Sequence, residues 1–266
     1  MDLGLKGKAV IVTGGGANIG RGISLTFARE GSNVVIAELD EKQGQKVADQ
    51  ANALGAGGRC IAVKTDVTNL NEVEALVART VKEFGTVDVL VNNVGWDSPQ
   101  YFVETTPDFW NKVIDLNYRS VLNCIKTVLP VMIEKKSGSI VSVSSDAGRI
   151  GEFKEAVYAG CKAAVIGMTK TTAREVGRYG IRVNVACPGT TIPDSEEDVG
   201  EGSAWHGEIT KILTPEKLEA LAKSAYPLRR LGKPQDLGNA VAFLASDAAS
   251  FITGQTLSVS GGYSMM

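Results

Sequence analysis

The chain has 266 residues, of which 44% are hydrophobic and 22% are charged, and its formal net charge at pH 7 is −2. This length and composition suit one α/β domain with a large core. The near-neutral charge and the lack of long lysine or arginine runs exclude an electrostatic case for binding nucleic acid or a membrane surface. We therefore expect a small-molecule substrate.

The cysteine and histidine content argues against metal binding. The four cysteines, Cys60, Cys124, Cys161 and Cys187, are widely spaced, and His206 is the single histidine of the chain. This pattern predicts neither a zinc site nor a disulfide, and it fits a reducing cytoplasm. The N-terminus lacks the apolar core of a signal peptide, and no run reaches the ~20 apolar residues of a membrane span. We expect a soluble, cytoplasmic protein.

Short apolar runs alternate with segments of helical periodicity along the chain. Strands are predicted at residues 9–12, 34–37, 61–63, 87–91, 140–143, 181–186 and 256–259. Helices are predicted at residues 19–30, 42–54, 73–84, 108–133, 156–178 and 235–244. Continuous valine and isoleucine runs are typical of strands buried on both faces. The pattern predicts an α/β fold in which helices flank a parallel sheet of seven strands.

Residues 190–227 interrupt this alternation. The segment follows the sixth predicted strand and begins with several acidic residues. We predict that it is a loop and helix insertion that covers the substrate, and that residues 1–266 form a single domain.

A glycine-rich segment with the sequence TGGGANIG, residues 13–20, follows the first strand and opens the first helix. In this arrangement, backbone N–H groups at the helix N-terminus bind a pyrophosphate. Glu38 ends the second strand, where its carboxylate can accept hydrogen bonds from both ribose hydroxyls and would repel the extra phosphate of NADP. The sequence therefore favours NAD as cofactor. The cofactor-binding residues predicted in this region are Gly14, Gly16, Asn18, Ile19, Gly20, Glu38 and Leu39.

Two later strands also end in polar or small residues. The carboxyl ends of strands are where open parallel sheets bind ligands. The third strand is followed by Asp66, and the fourth by the turn NNVG at residues 92–95. Their alternative role is the capping of turns or helices. The cofactor-binding residues predicted here are Asp66, Val67, Asn93, Val94 and Gly95.

Tyr158 and Lys162 are four residues apart in a predicted helix. Residues at this spacing share one helix face, so the Lys162 ammonium can lie close to the Tyr158 hydroxyl. A nearby cation stabilises a phenolate and lowers the tyrosine pKa from its usual value of about 10. Such a tyrosine can move a proton to or from a carbinol oxygen. Together with the glycine-rich segment, this pair predicts a nicotinamide-dependent oxidoreductase.

Several separate motifs occur in one order along the chain: TGGGANIG, NNVG, Asn117, Ser145, Tyr158 with Lys162, and Pro188-Gly189. In order and spacing they resemble those of the short-chain dehydrogenase/reductase family, over nearly the whole chain. The resemblance implies a doubly wound, Rossmann-type sheet with helices on both faces, and a homotetramer. It also implies an enzyme that interconverts a secondary alcohol and a ketone.

The catalytic residues that the resemblance implies are Asn117, Ser145, Tyr158 and Lys162. Tyr158 would exchange the proton of the alcohol, and Ser145, thirteen positions earlier, would hold the substrate oxygen. Lys162 would also bind the cofactor ribose. Asn117 would bend its helix and hold a water that links Lys162 to solvent.

The chain departs from the family pattern at three positions. Asn18 replaces a glycine, although asparagine tolerates left-handed backbone better than most residues. Val94 replaces the usual alanine. Pro193 stands where many members have a threonine that bonds the cofactor carboxamide, so we expect Thr191 or Thr190 to substitute. The cofactor-binding residues predicted after the sixth strand are Pro188, Gly189 and Thr191.

Several segments, including the residues around Trp96 and those before Tyr158, resemble dehydrogenases of alicyclic hydroxyacyl-CoA thioesters. The nearest of these acts on 2-hydroxycyclohexanecarbonyl-CoA in the anaerobic breakdown of benzoate and cyclohexanecarboxylate. We expect Trp96 and Trp205 to line an apolar pocket for the ring and Arg149 to meet CoA phosphates. Three alternatives stay open: a free alicyclic or aryl-alkyl secondary alcohol as substrate, a 3-oxoacyl thioester reductase, and an inactive NAD-binding subunit.

Overall fold

The computed structural model describes residues 2–200 and 214–266. All seven strands of this part of the chain are parallel and form one sheet in the order β3-β2-β1-β4-β5-β6-β7. The strands are β1 Ala9–Thr13, β2 Asn33–Glu38, β3 Cys60–Lys64, β4 Val89–Asn92, β5 Gly138–Val143, β6 Ile181–Pro188 and β7 Thr256–Val259. The predicted doubly wound, seven-stranded parallel sheet is confirmed.

The helices connect successive strands and cover both faces of the sheet. They are α1 Asn18–Arg29, α2 Glu41–Ala53, α3 Leu70–Phe84, α4 Pro107–Ile114, α5 Ser120–Lys135, α6 Ala147–Ile150, α7 Ala156–Val176, α8 Pro215–Ala225 and α9 Pro234–Ala245. Side-chain caps fix several starting points. The Asp40 carboxylate accepts from the N–H groups of Lys42 and Gln43, and Asn69 caps α3 in the same way. No helix among the described residues is long and apolar enough to cross a membrane.

The core consists of two apolar layers, one on each face of the sheet. Because side chains alternate along a strand, Val10 and Val12 of β1 pack with α1, α2 and α9, whereas Ile11 packs with α3, α5 and α7. β1 is buried along its whole length. The sheet is therefore a rigid platform whose carboxyl edge can hold a site.

The predicted helix at residues 108–133 is interrupted, which corrects that prediction. α4 and α5 are joined by one wide π-helical turn, Asp115–Arg119, that contains Asn117. The Asn117 side-chain amide donates to the Val113 carbonyl at 2.9 Å. In a regular helix this carbonyl would accept from the backbone N–H of residue 117. π-Helical turns of this kind occur frequently at functional sites.

Two further elements differ from the sequence analysis. The short helix α6 was not predicted, and α7 ends at Val176 rather than at residue 178, before a 3₁₀ turn, Gly177–Tyr179. Within the segment predicted to cover the substrate, the structure describes residues 190–200 and 214–227, which include α8. Its middle part, with Trp205, lies outside the described residues.

Candidate active site

The candidate site lies at the carboxyl edge of the sheet, where the loops after β1, β4, β5 and β6 meet. The strand order reverses between β1 and β4, because the chain winds outward in one direction to β3 and in the other to β7. Open α/β sheets bind ligands at such a switch point.

The glycine-rich loop between β1 and α1 is tightly folded. Gly14 and Asn18 both have positive φ, +60° and +39°, so the asparagine takes up the backbone conformation that a glycine usually provides. A Cβ atom on Gly20 would lie 1.9 Å from the Gly14 carbonyl oxygen and 2.6 Å from the Asn93 side-chain nitrogen. Glycine is therefore required at position 20.

Asn93 ties the loop after β4 to this glycine-rich loop. Its side-chain amide donates to the carbonyl oxygens of Thr13 at 3.0 Å and Gly14 at 3.1 Å. Its backbone N–H donates to the Thr13 hydroxyl at 2.9 Å. Val94 lies beside them, with its Cγ2 atom 3.1 Å from where a Gly14 side chain would begin. Asn93 and Val94, which we predicted to bind the cofactor, thus lie against the glycine-rich loop.

Glu38 closes the other side of the loop. Its carboxylate accepts hydrogen bonds from the N–H of Gly16 at 3.0 Å and of Leu39 at 2.9 Å. Burial raises the Glu38 pKa, and these backbone hydrogen bonds oppose that shift. The Leu39 side chain is exposed. The carboxylate that we predicted for the ribose therefore lies directly against the loop that we predicted for the pyrophosphate.

These residues fit a dinucleotide. No side-chain hydrogen bond caps the start of α1, which leaves its first-turn N–H groups for an anionic ligand. Asn18 adds a side-chain oxygen that is buried without a hydrogen-bond partner among the described residues. An unpaired buried acceptor of this kind is costly unless a ligand or water satisfies it.

Asp66 and Val67 have partners within the protein. The Asp66 carboxylate accepts from the backbone N–H of Thr68 at 2.9 Å and from its hydroxyl at 2.7 Å. Val67 is buried, and its carbonyl accepts from Asn123 at 3.1 Å. The capping role that the sequence allowed for Asp66 is present, and cofactor contacts of these two residues stay a prediction.

Tyr158, Lys162 and Ser145 meet above the end of β5. The Lys162 Nζ atom lies 5.4 Å from the centre of the Tyr158 ring and donates to the Val143 carbonyl at 3.1 Å. The Ser145 hydroxyl accepts from the Ala147 N–H at 3.1 Å, which fixes it at the start of α6. The tyrosine and serine predicted from their spacing therefore face one another.

The pKa values of this group are governed by burial. Burial raises the pKa of Tyr158, the charge of Glu155 raises it further, and a hydrogen bond with Ser145 opposes the shift. Burial also lowers the pKa of Lys162 to about 8. The expected lowering of the Tyr158 pKa is therefore wrong, because burial of the phenol disfavours its charged form and has the largest effect.

Asn117 completes the group. It is fully buried, and its side-chain nitrogen donates to the Trp96 carbonyl at 2.7 Å while its oxygen accepts from the Trp96 N–H at 3.2 Å. A Cβ atom on Gly95 would lie 3.0 Å from both the Asn117 oxygen and the Lys162 Nζ atom. Asn117 and Lys162 thus both lie beside Gly95, and the water link between them that the family resemblance implied stays a prediction.

Aromatic side chains from the segment after β4 form two ring pairs with Phe109 and Phe153. Trp96 packs edge-to-face on Phe109 with ring centres 6.1 Å apart, and Tyr101 packs similarly on Phe153 at 5.7 Å. The loop containing Tyr101 is tied to the loop before α7 by a hydrogen bond from the Gln100 N–H to the Lys154 carbonyl at 2.9 Å. The Trp96 backbone is held by Asn117, and contact of its ring with a substrate stays a prediction.

Arg149 is directed into the protein. Its guanidinium lies 3.7 Å from the Asp146 carboxylate, and both side chains are largely buried. This placement gives no support to the predicted contact with CoA phosphates, because the charge of Arg149 is already matched.

The loops after β6 hold the remaining predicted contacts. The buried Thr191 donates its hydroxyl to the Gly189 carbonyl at 3.1 Å, and the Thr190 N–H donates to the Tyr226 hydroxyl at 2.8 Å. Gly189 is packed against the same tyrosine. A cofactor contact from Pro188, Gly189 or Thr191 stays a prediction.

Sequence reasoning missed two acids beside Tyr158, Asp97 and Glu155, and a third, Glu152, that lies close to Glu155. Burial, together with the smaller effects of the Asp97 and Glu152 charges, raises the pKa of Glu155 to about 8. Burial also raises the pKa of Asp97 to about 6. Glu152 accepts a 2.5 Å hydrogen bond from the Tyr263 hydroxyl near the C-terminus. In the sequence these acids look like ordinary surface residues, since their proximity depends on the fold.

The raised pKa of Glu155 predicts a pH-dependent loss of stability. A carboxyl group whose folded pKa of about 8 lies above its unfolded value stabilises the fold fully below the unfolded pKa, and this contribution is lost as pH rises through 8. Glu155→Gln mimics the neutral acid. By calorimetry, we expect its Tm to exceed that of the wild type by about 3 °C or more at pH 9 and to match it near pH 5, since 1 kcal/mol shifts Tm by about 2–4 °C.

Glu175 gives a matched control, because it is exposed and lies near the end of α7, whereas Glu155 lies just before the start of that helix. We expect Glu175→Gln to show no such pH-dependent gain. An equal Tm difference for Glu155→Gln at both pH values would show that the Glu155 carboxyl does not change its charge between them.

Among the described residues, no group of three or more histidine, cysteine or acidic side chains is arranged to hold a metal ion.

Known proteins resemble this chain over almost its entire length. A family model described as enoyl-(acyl carrier protein) reductase matches residues 15–264. The 3-oxoacyl-[acyl-carrier-protein] reductase FabG of Staphylococcus aureus strain N315 is 38% identical over 97% of this chain and 98% of its own length. The oxidoreductase UcpA of Salmonella typhimurium is also 38% identical, over 97% of this chain and 95% of its own length.

Two solved structures share the fold. A 7α-hydroxysteroid dehydrogenase in complex with NADH and 7-oxo glycochenodeoxycholic acid superposes with a TM-score of 0.86 at 33% identity, covering 98% of this chain and 96% of its own. A short-chain type dehydrogenase/reductase from Mycobacterium marinum gives a TM-score of 0.85 at 27% identity, covering 100% and 98%.

Proposed function

The chain belongs to the short-chain dehydrogenase/reductase family, and we propose that it is an NAD-dependent enzyme that interconverts a secondary alcohol and a ketone. The observation that carries this proposal is the grouping of Tyr158, Ser145, Lys162 and Asn117 beside the glycine-rich loop. A proton-transferring phenol next to a dinucleotide site is what this reaction requires.

The glycine-rich loop, Asn18 and Glu38 would hold the cofactor, with the N-terminus of α1 at its pyrophosphate. Bound NAD supplies the capacity to accept or donate a hydride. The carboxylate of Glu38 supports NAD over NADP, because it would repel a phosphate on the ribose.

The proton chemistry belongs to Tyr158. In the direction of ketone reduction, its neutral phenol donates a proton to the substrate oxygen, and the raised pKa of the phenol favours this neutral form. In the direction of alcohol oxidation, the Tyr158 phenolate accepts the proton of the alcohol, and the Lys162 ammonium stabilises this phenolate before the transfer. The Ser145 hydroxyl orients the substrate oxygen towards Tyr158.

Asn117 and Lys162 support this transfer. The Asn117 amide is fixed by the backbone of Trp96 and Val113, so its oxygen is held beside the Lys162 ammonium. With a pKa of about 8, Lys162 can lose and regain a proton near neutral pH. The pair can therefore restore the proton of Tyr158 after each turnover.

The cofactor preference is tested by changing the carboxylate. In Glu38→Ala combined with Leu39→Arg, the repulsion is removed and a cation is added beside the ribose site. Charge-assisted hydrogen bonds contribute about 1.5–3 kcal/mol, so we expect the ratio of kcat/KM for NADP to that for NAD to rise by about tenfold or more. Leu39→Arg alone is the matched control, and an unchanged ratio in the double variant would remove Glu38 from the ribose site.

For the substrate, we propose a hydroxyacyl thioester with a cyclic acyl group. The relatives named 3-oxoacyl-[acyl-carrier-protein] reductase act on an acyl group joined to a carrier, and the hydroxysteroid dehydrogenase holds a ring ketone. Two aromatic ring pairs, Trp96 with Phe109 and Tyr101 with Phe153, offer apolar surface that suits an alicyclic substrate.

A free cyclic or aryl-alkyl secondary alcohol is the second candidate. Asp97 and Glu155 lie close enough to Tyr158 to raise its pKa, and the negative charge of Asp97 at neutral pH opposes a polyanion such as CoA. The inward ion pair of Arg149 with Asp146 removes one cation that CoA would need.

The test is NADH formation from NAD with four alcohols: 2-hydroxycyclohexanecarbonyl-CoA, a linear 3-hydroxyacyl-CoA, cyclohexanol and 1-phenylethanol. The proposal predicts the highest kcat/KM for the cyclic thioester. A preference for the linear thioester would indicate a 3-oxoacyl thioester reductase. Turnover of the free alcohols alone would contradict the thioester proposal and favour the second candidate.

A further inference from the structure

An acidic segment, residues 194–200, crosses from the start of α1 to α2. The Arg21 guanidinium, in the first turn of α1, lies 3.0 Å from the Asp198 carboxylate and 3.8 Å from that of Asp194. The side chains of Arg21 and Asp198 are only 18% and 10% exposed. A pair this protected from water is screened less by salt than an ordinary surface pair.

The same segment is attached to α2. The Lys46 ammonium donates to the Glu197 carbonyl at 3.1 Å and lies 3.6 Å from the Glu197 carboxylate. The Gln43 side chain also reaches this carbonyl, at 3.4 Å. At the end of the segment, a Cβ atom on Gly200 would lie 3.5 Å from the Cβ atom of Ala17 in the glycine-rich loop.

These contacts place the acidic segment across the loop that fits the cofactor pyrophosphate. The segment carries four acidic residues, Asp194, Glu196, Glu197 and Asp198. Carboxylates close to a bound pyrophosphate repel it unless cations offset their charge. Among the residues that the structure describes, Arg21 and Lys46 form ion pairs with the segment.

We propose that Arg21 is a positioning residue for the cofactor, which acts through Asp198 by fastening the acidic segment over the dinucleotide site. The cofactor then leaves only after this ion pair opens. The inference rests on the proposed use of a nicotinamide dinucleotide, but it does not depend on the identity of the alcohol.

The test is the rate of NADH release from the full-length protein, followed by stopped-flow fluorescence. We expect Arg21→Gln to release NADH about tenfold faster than the wild type, as for the loss of a partly buried ion pair. Asp198→Asn should also accelerate release, by at most the same factor, because Arg21 keeps its neighbours Asp194 and Gln50 in that variant. The double variant should release NADH about as fast as Arg21→Gln, since the Arg21–Asp198 contact is already lost there. Added salt should accelerate release from the wild type more than from Arg21→Gln.

Arg29→Gln is the matched control, because Arg29 lies at the other end of α1, where it pairs with Gln235. Its NADH release should equal that of the wild type. Unchanged release in both Arg21→Gln and Asp198→Asn, with NADH still bound, would overturn the inference alone. Failure of the wild type to bind NADH would instead overturn the proposed function and this inference with it.

Discussion

Tyr158→Phe is expected to lower kcat by about 10³-fold or more while the affinity for NAD stays within about twofold of the wild type. The substitution removes the phenol oxygen that faces Ser145 and leaves the packed ring in place. Binding residues on the glycine-rich loop are untouched. The measurement is steady-state kinetics with the best alcohol, together with a titration of NAD binding.

Tyr179→Phe is the control for this variant, since it removes a tyrosine hydroxyl at the end of α7, outside the candidate site. It should retain wild-type kcat. Activity of Tyr158→Phe comparable to that of the control would remove Tyr158 from the chemistry. A wild-type protein that binds NADH but turns over no alcohol would favour the inactive-subunit alternative.

Gly20→Ala is expected to weaken NAD binding by about 100-fold or more. The added methyl group would lie 1.9 Å from the Gly14 carbonyl oxygen and would displace the Asn93 amide that ties two loops together. Overpacking of this kind costs about 1–3 kcal/mol, and occasionally more. Because the displaced atoms form the cofactor loop itself, we expect the loss in affinity to be accompanied by a lower Tm. The measurements are calorimetric titration with NAD and thermal unfolding.

Gly167→Ala gives the matched comparison. Gly167 lies in the helix α7, and a Cβ atom there would meet no atom within 4 Å. Alanine is favoured over glycine in a helix by about 1 kcal/mol, so its Tm should not fall. Normal NAD affinity in Gly20→Ala would show that the loop does not hold the cofactor.

The fold could be predicted because strands and helices each show a characteristic pattern of apolar residues in the sequence. Valine and isoleucine runs such as those of β1 mark buried strands, and amphipathic segments such as α3 mark the helices between them. The π-helical turn around Asn117 could not be predicted from that pattern, because apolar spacing continues through it. The four-residue α6 is too short to show any period.

The candidate site also has a part that could be predicted from the sequence and a part that could not. Tyr158 and Lys162 are separated by one helical turn, so their proximity follows from local geometry. The proximity of Glu155 to Asp97, and of Arg21 to Asp198, depends on loops that meet only in the folded chain. The inward orientation of the Arg149 side chain could not be predicted from the sequence either, because it depends on the buried carboxylate of Asp146.

Transfer of a labelled hydride tests the central claim most directly. The protein is incubated with NAD and the best secondary alcohol carrying deuterium at its carbinol carbon, and the resulting NADH is analysed by mass spectrometry. We predict that each NADH gains one deuterium while the alcohol becomes the ketone. NADH without deuterium, or no NADH from any secondary alcohol, would contradict the assignment of this chain as an alcohol and ketone oxidoreductase.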